Sequence, residues 1–589
     1  MAQLPFDKLK PLVESGIDAT AAARASSERD RDYYDGHQWT DEEVAAIKRR
    51  KQPLVTINRI KRKIDAMVGI EQRSRTDPRA YPRHPGAEQA ADVATKALVF
   101  VDDQTRFDSL RSAAFENMLV EGYGGVEVGA EEVNGQIEVT ITRLRWEEIV
   151  FDPYSREKDF SDANWIGCIK WMTLDQAVAL YGKEHEELLE AAMALPNDGD
   201  TYDDRPQNAH TPHWGDKRRR RVRVAQLYYR NGGRWYLSVF TGAGEIIGSE
   251  SPYEDEHGNS TCPIVLMTAY IDRQNRRYGV VNDMISAQDE VNKRRSKLLH
   301  LLNTRQTSGV KGAVSARKVK EELAKPDGHV EVNPEAADMA AELRMPAFQV
   351  LPTNDMAAGQ FQLLVESKDE IDKVGPNASL IGQLQGQQSG RAIMAQQQAG
   401  LVELAPIYDS LRDWTLRCYR AMWARVRQYW TDERWIRITD QFQAPEFIQI
   451  NVMQGFDPFT MQPIIENAVA LMDVDIVIDD APDYATLQQE TLEQLISLRE
   501  AGVPVPPELI IEAAPIRNKA RINEAIQEAQ QQQAAMQQQG MAMQAQLEGA
   551  KAEADTQAKG ARAARDAAQA EATAFDTFLK QRATMPMGF

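Results

Sequence analysis

The chain has 589 residues, of which 42% are hydrophobic and 27% charged, the balance of an ordinary folded protein, which excludes wholesale disorder and a membrane-embedded class. Its formal net charge of -19 repels a polyanion and excludes an ordinary high-affinity nucleic-acid binder, while leaving DNA open as a cargo that must slide without sticking. Three cysteines, Cys168, Cys262 and Cys418, without CxxC spacing, exclude a disulfide framework and a thiolate metal site.

The length suggests about three to five structural units. Residues 1–10 lack the apolar stretch of a signal peptide and no run of about 18 apolar residues occurs, so the expectation is a protein that is neither secreted by the usual route nor membrane-spanning. Residues 17–50 are polar, Ala-rich and helical in character, with an aromatic insertion at Tyr33-Tyr34-Asp35-Gly36-His37-Gln38-Trp39. Asp41 opens a short helix that Pro53 stops, and Pro78, Pro82 and Pro85 impose extended chain. Residues 87–121 read as a helix pair.

Two hairpins follow. Residues 125–133 and 136–144 alternate apolar and polar side chains around Asn134-Gly135, and residues 221–229 and 234–240 do so around Asn231-Gly232-Gly233; both turns supply the positive φ of a tight type I′ connection. A β-rich unit thus spans about 122–269, interrupted by a helix near 173–195 and a polar loop at 197–216. Residues 282–302 turn helical, with Met284, Ala287, Val291, Leu298 and Leu301 at steps of three and four and Arg294 at the position where an apolar residue is missing. A polar stretch, 308–352, predicts short strands at 329–332 and 348–351, and a second helix over 355–374 leads back. Residues 377–390 form a Gln- and Gly-rich loop; 391–429 read as a long helix bent at Pro406, 435–478 as short strands, and 484–501 as a further helix. From 516 to 585 no proline occurs and Ala, Gln, Glu, Lys and Arg dominate. Such a segment favours helix and reaches about 100 Å if continuous, frayed alone and ordered only against copies of itself. The fold class is α+β, predominantly helical.

Catalytic motifs are few. Gly182-Lys183 is followed by Glu184 and lacks the upstream glycine of a phosphate-cradling loop, and His185-Glu186 has Leu189 where a zinc-binding helix needs its second histidine. Asp473, Asp475, Asp479, Asp480 and Asp483 are the candidates for a two-metal nuclease site, the alternative function; strand alternation offers a plainer account, with both leading aspartates on a solvated face. No cofactor or metal is expected. Basic clusters at 48–51, 59–63, 217–221 and 293–297 are candidates for phosphate contact, for a solvated face or for inter-subunit ion pairs.

The order Glu28-Arg29-Asp30-Arg31-Asp32-Tyr33-Tyr34-Asp35-Gly36 with Gln38-Trp39, then Pro53-Leu54-Val55-Thr56-Ile57-Asn58-Arg59-Ile60, Thr76-Asp77-Pro78-Arg79-Ala80-Tyr81-Pro82, Asp152-Pro153, Asp162-Ala163-Asn164-Trp165-Ile166, Tyr278-Gly279-Val280-Val281 and Gln288-Asp289-Glu290-Val291-Asn292 resembles phage portal proteins of the short-tailed podovirus type, over about 26–500. The resemblance implies a structural, non-enzymatic subunit of a dodecameric ring at a capsid vertex, assembled in the bacterial host cytoplasm. The ring would pass double-stranded DNA and meet the terminase large subunit, tail adaptors, and the major capsid and scaffolding proteins. It implies a wing at 1–281, stem helices at 282–304 and 353–375 with a clip at 305–352 between them, and a tunnel loop at 376–390. A tunnel helix and wing return would follow at 391–483, a crown at 484–514, and a C-terminal helical barrel or disordered tail at 515–589. On that layout the DNA-channel candidates are Lys293, Arg294, Arg295, Lys297, Glu366, Asp369, Glu370, Gln383, Gln385, Gln387 and Gln388. The clip candidates for terminase or adaptor docking are Arg317, Lys318, Lys320, Glu321, Glu322 and Lys325.

Overall fold

A computed structural model describes residues 3–478 except 74, 76, 77, 196–212, 304, 305, 324, 326, 343, 352, 353, 375–389, 440–444 and 457–462, and further on residues 494–499, 549, 551, 554–577 and 580. Two units divide the chain, 1–483 and 484–589. In the second, residues 494–499 and 554–577 are helical, the latter with every described side chain exposed, as expected of an Ala-, Gln- and charge-rich sequence without an apolar stripe.

The first unit begins with α1 (Phe6–Asp35), ended by Gly36 at φ 97°, whose left-handed backbone only glycine adopts without strain. Thr40 and Glu43 form a reciprocal capping box on α2 (Asp41–Arg49). An extended segment leads to α3 (Ile60–Arg73), β1 (Pro78–Pro82), α4 (Glu88–Thr105) and α5 (Phe107–Glu121). Arg106 at φ 52° separates the last two helices. The strands β2 (Tyr123–Val133) and β3 (Gln136–Leu144) form the first hairpin, with Asn134 and Gly135 at φ 55° and 81°. Next come β4 (Ile149–Phe151), β5 (Trp165–Thr173), α6 (Leu174–Tyr181), α7 (Glu186–Met193), β6 (Gly215–Asp216), β7 (Arg221–Asn231) and β8 (Arg234–Phe240). The second hairpin turns on Gly232 and Gly233, at φ 61° and 84°. The region closes with β9 (Glu245–Glu250), β10 (Ile264–Thr268), β11 (Tyr270–Ile271) and β12 (Arg277–Tyr278). One sheet has the order β10-β2-β3 and the larger one β4-β5-β7-β8-β9 with β6 on β7. The predicted helix over 173–195 is two helices, because Gly182 at φ 96° breaks the ladder between them.

Beyond Gly279 runs α8 (Val280–Asn303), followed by β13 (Gln306–Gly309), α9 (Ala316–Leu323), α10 (Pro334–Glu342), β14 (Phe348–Leu351) and α11 (Asn354–Lys373). The strand predicted at 348–351 is β14, but its partner is 306–309, and 329–332 has no regular structure. The reason is geometric. The two helices run antiparallel, so the segments at their ends meet, whereas 329–332 merely connects α9 to α10.

The chain returns through α12 (Gly390–Tyr429), which stays one helical element through Pro406, where a bend is predicted from sequence. Trp414, Cys418, Met422, Trp423 and Val426 of this helix are buried in the main core with α4, α5 and β2. The Trp414 indole donates to the Val265 carbonyl at 3.0 Å. After it come β15 (Arg434–Thr439), β16 (Pro445–Ile450), β17 (Val452–Phe456), β18 (Pro463–Glu466) and β19 (Val474–Ile478), which pairs antiparallel with β1. The architecture is a mixed α+β fold in which helix predominates.

Candidate functional site at the root of the helix pair

The two helices α8 and α11 meet along an apolar seam: Met284, Val291 and Leu298 from one, Leu364 and Ile371 from the other, all buried. At the missing seam position Arg294 Nε binds Glu290 Oε2 at 2.9 Å, and its Nη1 reaches Gln360 Oε1 at 3.4 Å. Ser367 Oγ donates to the same Glu290 oxygen at 3.0 Å. The Arg294 hydrogen bond holds the Glu290 carboxyl below the usual range. A cation in the seam is therefore used to fasten the pair.

A neighbouring face of α8 carries a feature that the sequence reading missed. Gln288, Asn292 and Ser296 recur at every fourth residue and are buried, which apolar patterning does not predict. Their partners are alternate backbone amides of the extended segment 53–59. Val55 N–H donates to Ser296 Oγ at 3.1 Å, Ile57 N–H to Asn292 Oδ1 at 2.9 Å and Arg59 N–H to Gln288 Oε1 at 3.1 Å, while Gln288 Nε2 returns a bond to the Ile57 carbonyl at 2.7 Å. Four helical residues rise about 6 Å and two extended residues about 6.7 Å, so three helix side chains serve as the neighbouring strand that this segment lacks.

Around this ladder the aromatic insertion becomes intelligible. Asn292 Nδ2 donates to Gln38 Oε1 at 2.6 Å, and Gln38 Nε2 to the Tyr33 carbonyl at 2.8 Å. Asn58 Nδ2 donates to the Tyr34 carbonyl at 2.8 Å, satisfying a carbonyl at the α1 end. The Tyr33 hydroxyl binds Asp289 and the Tyr34 hydroxyl binds Asp65 at 2.8 Å. Burial, with Asp289 adding to it, pushes the Tyr33 phenol up, so it stays a donor. Arg59 Nη2 then pairs with Asp372 of α11 at 3.2 Å, and Lys63 Nζ donates to the Asp372 carbonyl at 2.9 Å. Three separated sequence blocks, 33–39, 53–60 and 288–292, thus form one joint that holds both helices where they leave the body. The signal available in the sequence was the four-residue spacing of amide and hydroxyl side chains beside the apolar seam.

The predicted channel residues divide. Lys293 pairs with Glu43 of α2 at 2.9 Å and with Asp289 at 3.5 Å; the Glu43 hydrogen bond raises the lysine and lowers the glutamate. Half-buried Arg295 and exposed Lys297 form no ion pair among the described residues. Glu366, Asp369 and Glu370 lie exposed on α11 beside Phe361 and Val365, along a shallow groove of about 490 Å³. Gln383, Gln385, Gln387 and Gln388 lie outside the described residues. In α9 and the turn after it, Arg317 pairs with Glu321 at 3.0 Å and Lys325 with Glu322 at 2.7 Å, while Lys318 and Lys320 are exposed.

Of the aspartates considered for metal chemistry, Asp473 binds Arg83 at 2.9 Å, and Asp475 lies 3.8 Å from Arg83 and 4.0 Å from Arg420. Val474, Ile476 and Ile478 point the other way into the core. Asp479, Asp480 and Asp483 lie outside the described residues. Among the described residues no group of three or more His, Cys, Asp or Glu is placed to hold a metal ion. Burial pushes the Cys168 and Cys262 thiols up to about 12 and raises Cys418 as well, the setting of packing residues rather than nucleophiles. Among the described residues no helix is long and apolar enough to cross a membrane.

A mixed α+β body holding a clamped antiparallel helix pair with a small α/β insertion between its ends defines the architectural class of the chain. The family model for Phage P22-like portal protein matches residues 10–574, and the chain belongs to that family. A portal protein of Helicobacter pylori bacteriophage KHP30 is 22% identical over 433 residues, 71% of this chain; the matched part spans 66% of that relative, just under two thirds of its length.

Proposed function

We propose that this portal subunit assembles into a dodecameric ring at one capsid vertex and conducts double-stranded DNA during genome packaging and ejection, performing no chemistry of its own. The observation that carries the proposal is the joint at the root of the α8–α11 pair. Three blocks of chain are spent on fixing the direction in which two helices leave the body, an investment that suits helices that must stand in register around an axis. In this reading residues 1–281 and 391–483 build the wing and the tunnel helix, and 282–304 and 353–375 the stem. Residues 305–352 form the clip, which meets the terminase large subunit and later the tail adaptors through Arg317, Lys318, Lys320, Glu321, Glu322 and Lys325. Residues 376–390, with Gln383, Gln385, Gln387 and Gln388, line the tunnel together with Lys297, Arg295 and the acidic face of α11. Residues 484–514 make a crown, and 515–589 a barrel or tail inside the head. Major capsid and scaffolding proteins are the wing's partners, met during assembly in the host cytoplasm.

The test is electron microscopy of the purified full chain. Class averages down an axis should show closed rings, and rings should persist when the chain is truncated after Arg517, because the larger apolar seams lie upstream. Monomers at micromolar concentration across a range of salt, with scaffolding protein present, refute the proposal.

A further inference from the structure

Two surfaces beside the helix pair are left uncovered in a single chain. On α11 successive residues step about 100° round the axis, so Leu364 in the seam is followed by Val365 on a flank and by Glu366 on a third face. The flank repeats every fourth residue as Phe361, Val365 and Asp369. Phe361 is 56% and Val365 41% exposed, and Asp369, also exposed, forms no ion pair among the described residues. A water-facing helix flank ordinarily carries polar side chains; this one is apolar for one turn and acidic in the next. Glu366 and Glu370, on the third face, are left to border the tunnel.

The second surface is α2. It is nine residues long and has no buried side chain, although a helix of that length is marginal in water without packing. Val44 and Ile47 are only half-buried, and neither belongs to a buried hydrophobic cluster among the described residues. Lys48 follows Val44 by four residues on the same face. Lys51, at φ 52°, stands in the turn that closes the helix, where the Gln52 N–H donates to the Ile47 carbonyl at 3.1 Å. Both lysines are exposed and form no ion pair among the described residues, so this surface is apolar for one turn and basic in the next.

Within one chain the two surfaces do not meet. Glu43 ties α2 to Lys293 of α8, and Lys293 lies two residues beyond the seam residue Val291, about 160° round the helix from it, on the side of α8 turned away from α11. Between chains they match. Val44 to Lys48 and Val365 to Asp369 each span about 6 Å of helix, and the charges that follow the apolar turns are of opposite sign. We infer that the α11 flank is the seat of α2 from a second copy of this chain, with Val44 and Ile47 against Phe361 and Val365 and with Lys48 and Lys51 beside Asp369. Each copy contributes a different patch, so the contact is head-to-tail and repeats until it closes; the inference rests on the ring reading above and names a contact that joins neighbours in it.

The test is a carbodiimide, which joins an amine to a carboxylate in direct contact, applied to rings of the full chain assembled from a mixture of isotope-labelled and unlabelled copies. Mass spectrometry should find Lys48 or Lys51 linked to Asp369 in peptides that pair a labelled copy with an unlabelled one. Asp369→Lys should lower the association constant at least about tenfold by setting like charges face to face, and adding Lys48→Glu and Lys51→Glu to that chain should restore it. Rings without the linkage, a linkage confined to single copies, a linkage lost when a short DNA duplex is added, or no recovery in the folded triple variant each overturns the inference while the rings, and with them the ring reading, stand. If no rings form, both fall together. The linkage needs no variant and decides the matter even if the triple variant fails to fold.

Discussion

Replacing Asn292 by alanine tests the ladder at its central rung. The side chain is 1% exposed; it accepts from the Ile57 amide, donates to Gln38 Oε1 and accepts from Gln288 Nε2 at 3.2 Å. Alanine strands the Ile57 N–H and the Gln38 oxygen away from water, at about 1–2 kcal/mol each, so the local cost is about 2–4 kcal/mol. Because the loss falls on one rung, the sensitive observable is hydrogen exchange at the Ile57 amide, which should speed up by about 30- to 1000-fold, with smaller increases at Val55 and Arg59. Ser296→Ala removes a single bond at the end of the ladder and should cost about 1 kcal/mol. If the Ile57 amide exchanges at the wild-type rate in Asn292→Ala, or if the two variants lose the same protection, the side chains are not acting as a surrogate strand.

Asp30 gives a pH prediction. Burial outweighs the neighbouring Arg29 and lifts its carboxyl from 3.8 to about 6. The folded state therefore holds a proton that the unfolded state has released, and stability falls as the pH rises from about 4 to 6 and stays lower above. Asp30→Asn should flatten that part of the stability profile and gain up to about 3 kcal/mol at neutral pH, read by denaturant titration at several pH values. Arg31 clamps the fully buried Glu121 and pairs with Glu116 at 2.9 Å. Burial outweighs Arg31 and lifts the Glu121 carboxyl to about 8, so Arg31→Met should cost most above that pH, about 3–5 kcal/mol, by leaving a buried carboxylate uncompensated, and less near neutral pH, where Glu121 holds a proton. Gly122 combines φ 95° with a site where a Cβ would lie 2.5 Å from the Tyr278 backbone. Gly122→Ala should destabilise by about 3 kcal/mol or more in a thermal melt, whereas Gly135→Ala, in open space, should cost only the strain of its left-handed turn, about 1 kcal/mol.

What could be read directly were features written locally. Asn134-Gly135 and Gly232-Gly233 demand positive φ and name their own hairpins, and the three- and four-residue steps of Met284, Val291 and Leu298 announce a helix with one buried face. Features that join distant chain could not be read in this way. The pairing of β1 with β19 spans nearly 400 residues, and no pattern in Pro78–Pro82 specifies Val474–Ile478 as its partner. The partner of β14 was not legible for the same reason: 329–332 has the composition of a strand, but the packing of α8 on α11 brings 306–309 beside 348–351. The ladder was hidden because its chemistry joins side chain to backbone across some 230 positions, and a buried Gln, Asn or Ser looks in sequence like a solvated one. The basic run at 293–297 was legible as charge but not as pairing, since Glu43, the partner of Lys293, lies on another element.

The ladder also has a mechanical meaning. Its rungs lie across the axis of α8, so a load applied along that helix strains all three together in shear instead of peeling them one after another. The mismatch of about 0.7 Å per step between the helical and extended repeats acts like a vernier: one alignment brings three rungs into register, and a slip of one rung carries the outer pairs toward the limit of a good bond. The joint therefore resists sliding more strongly than its small number of hydrogen bonds suggests, and sets the height at which the helix pair leaves the body.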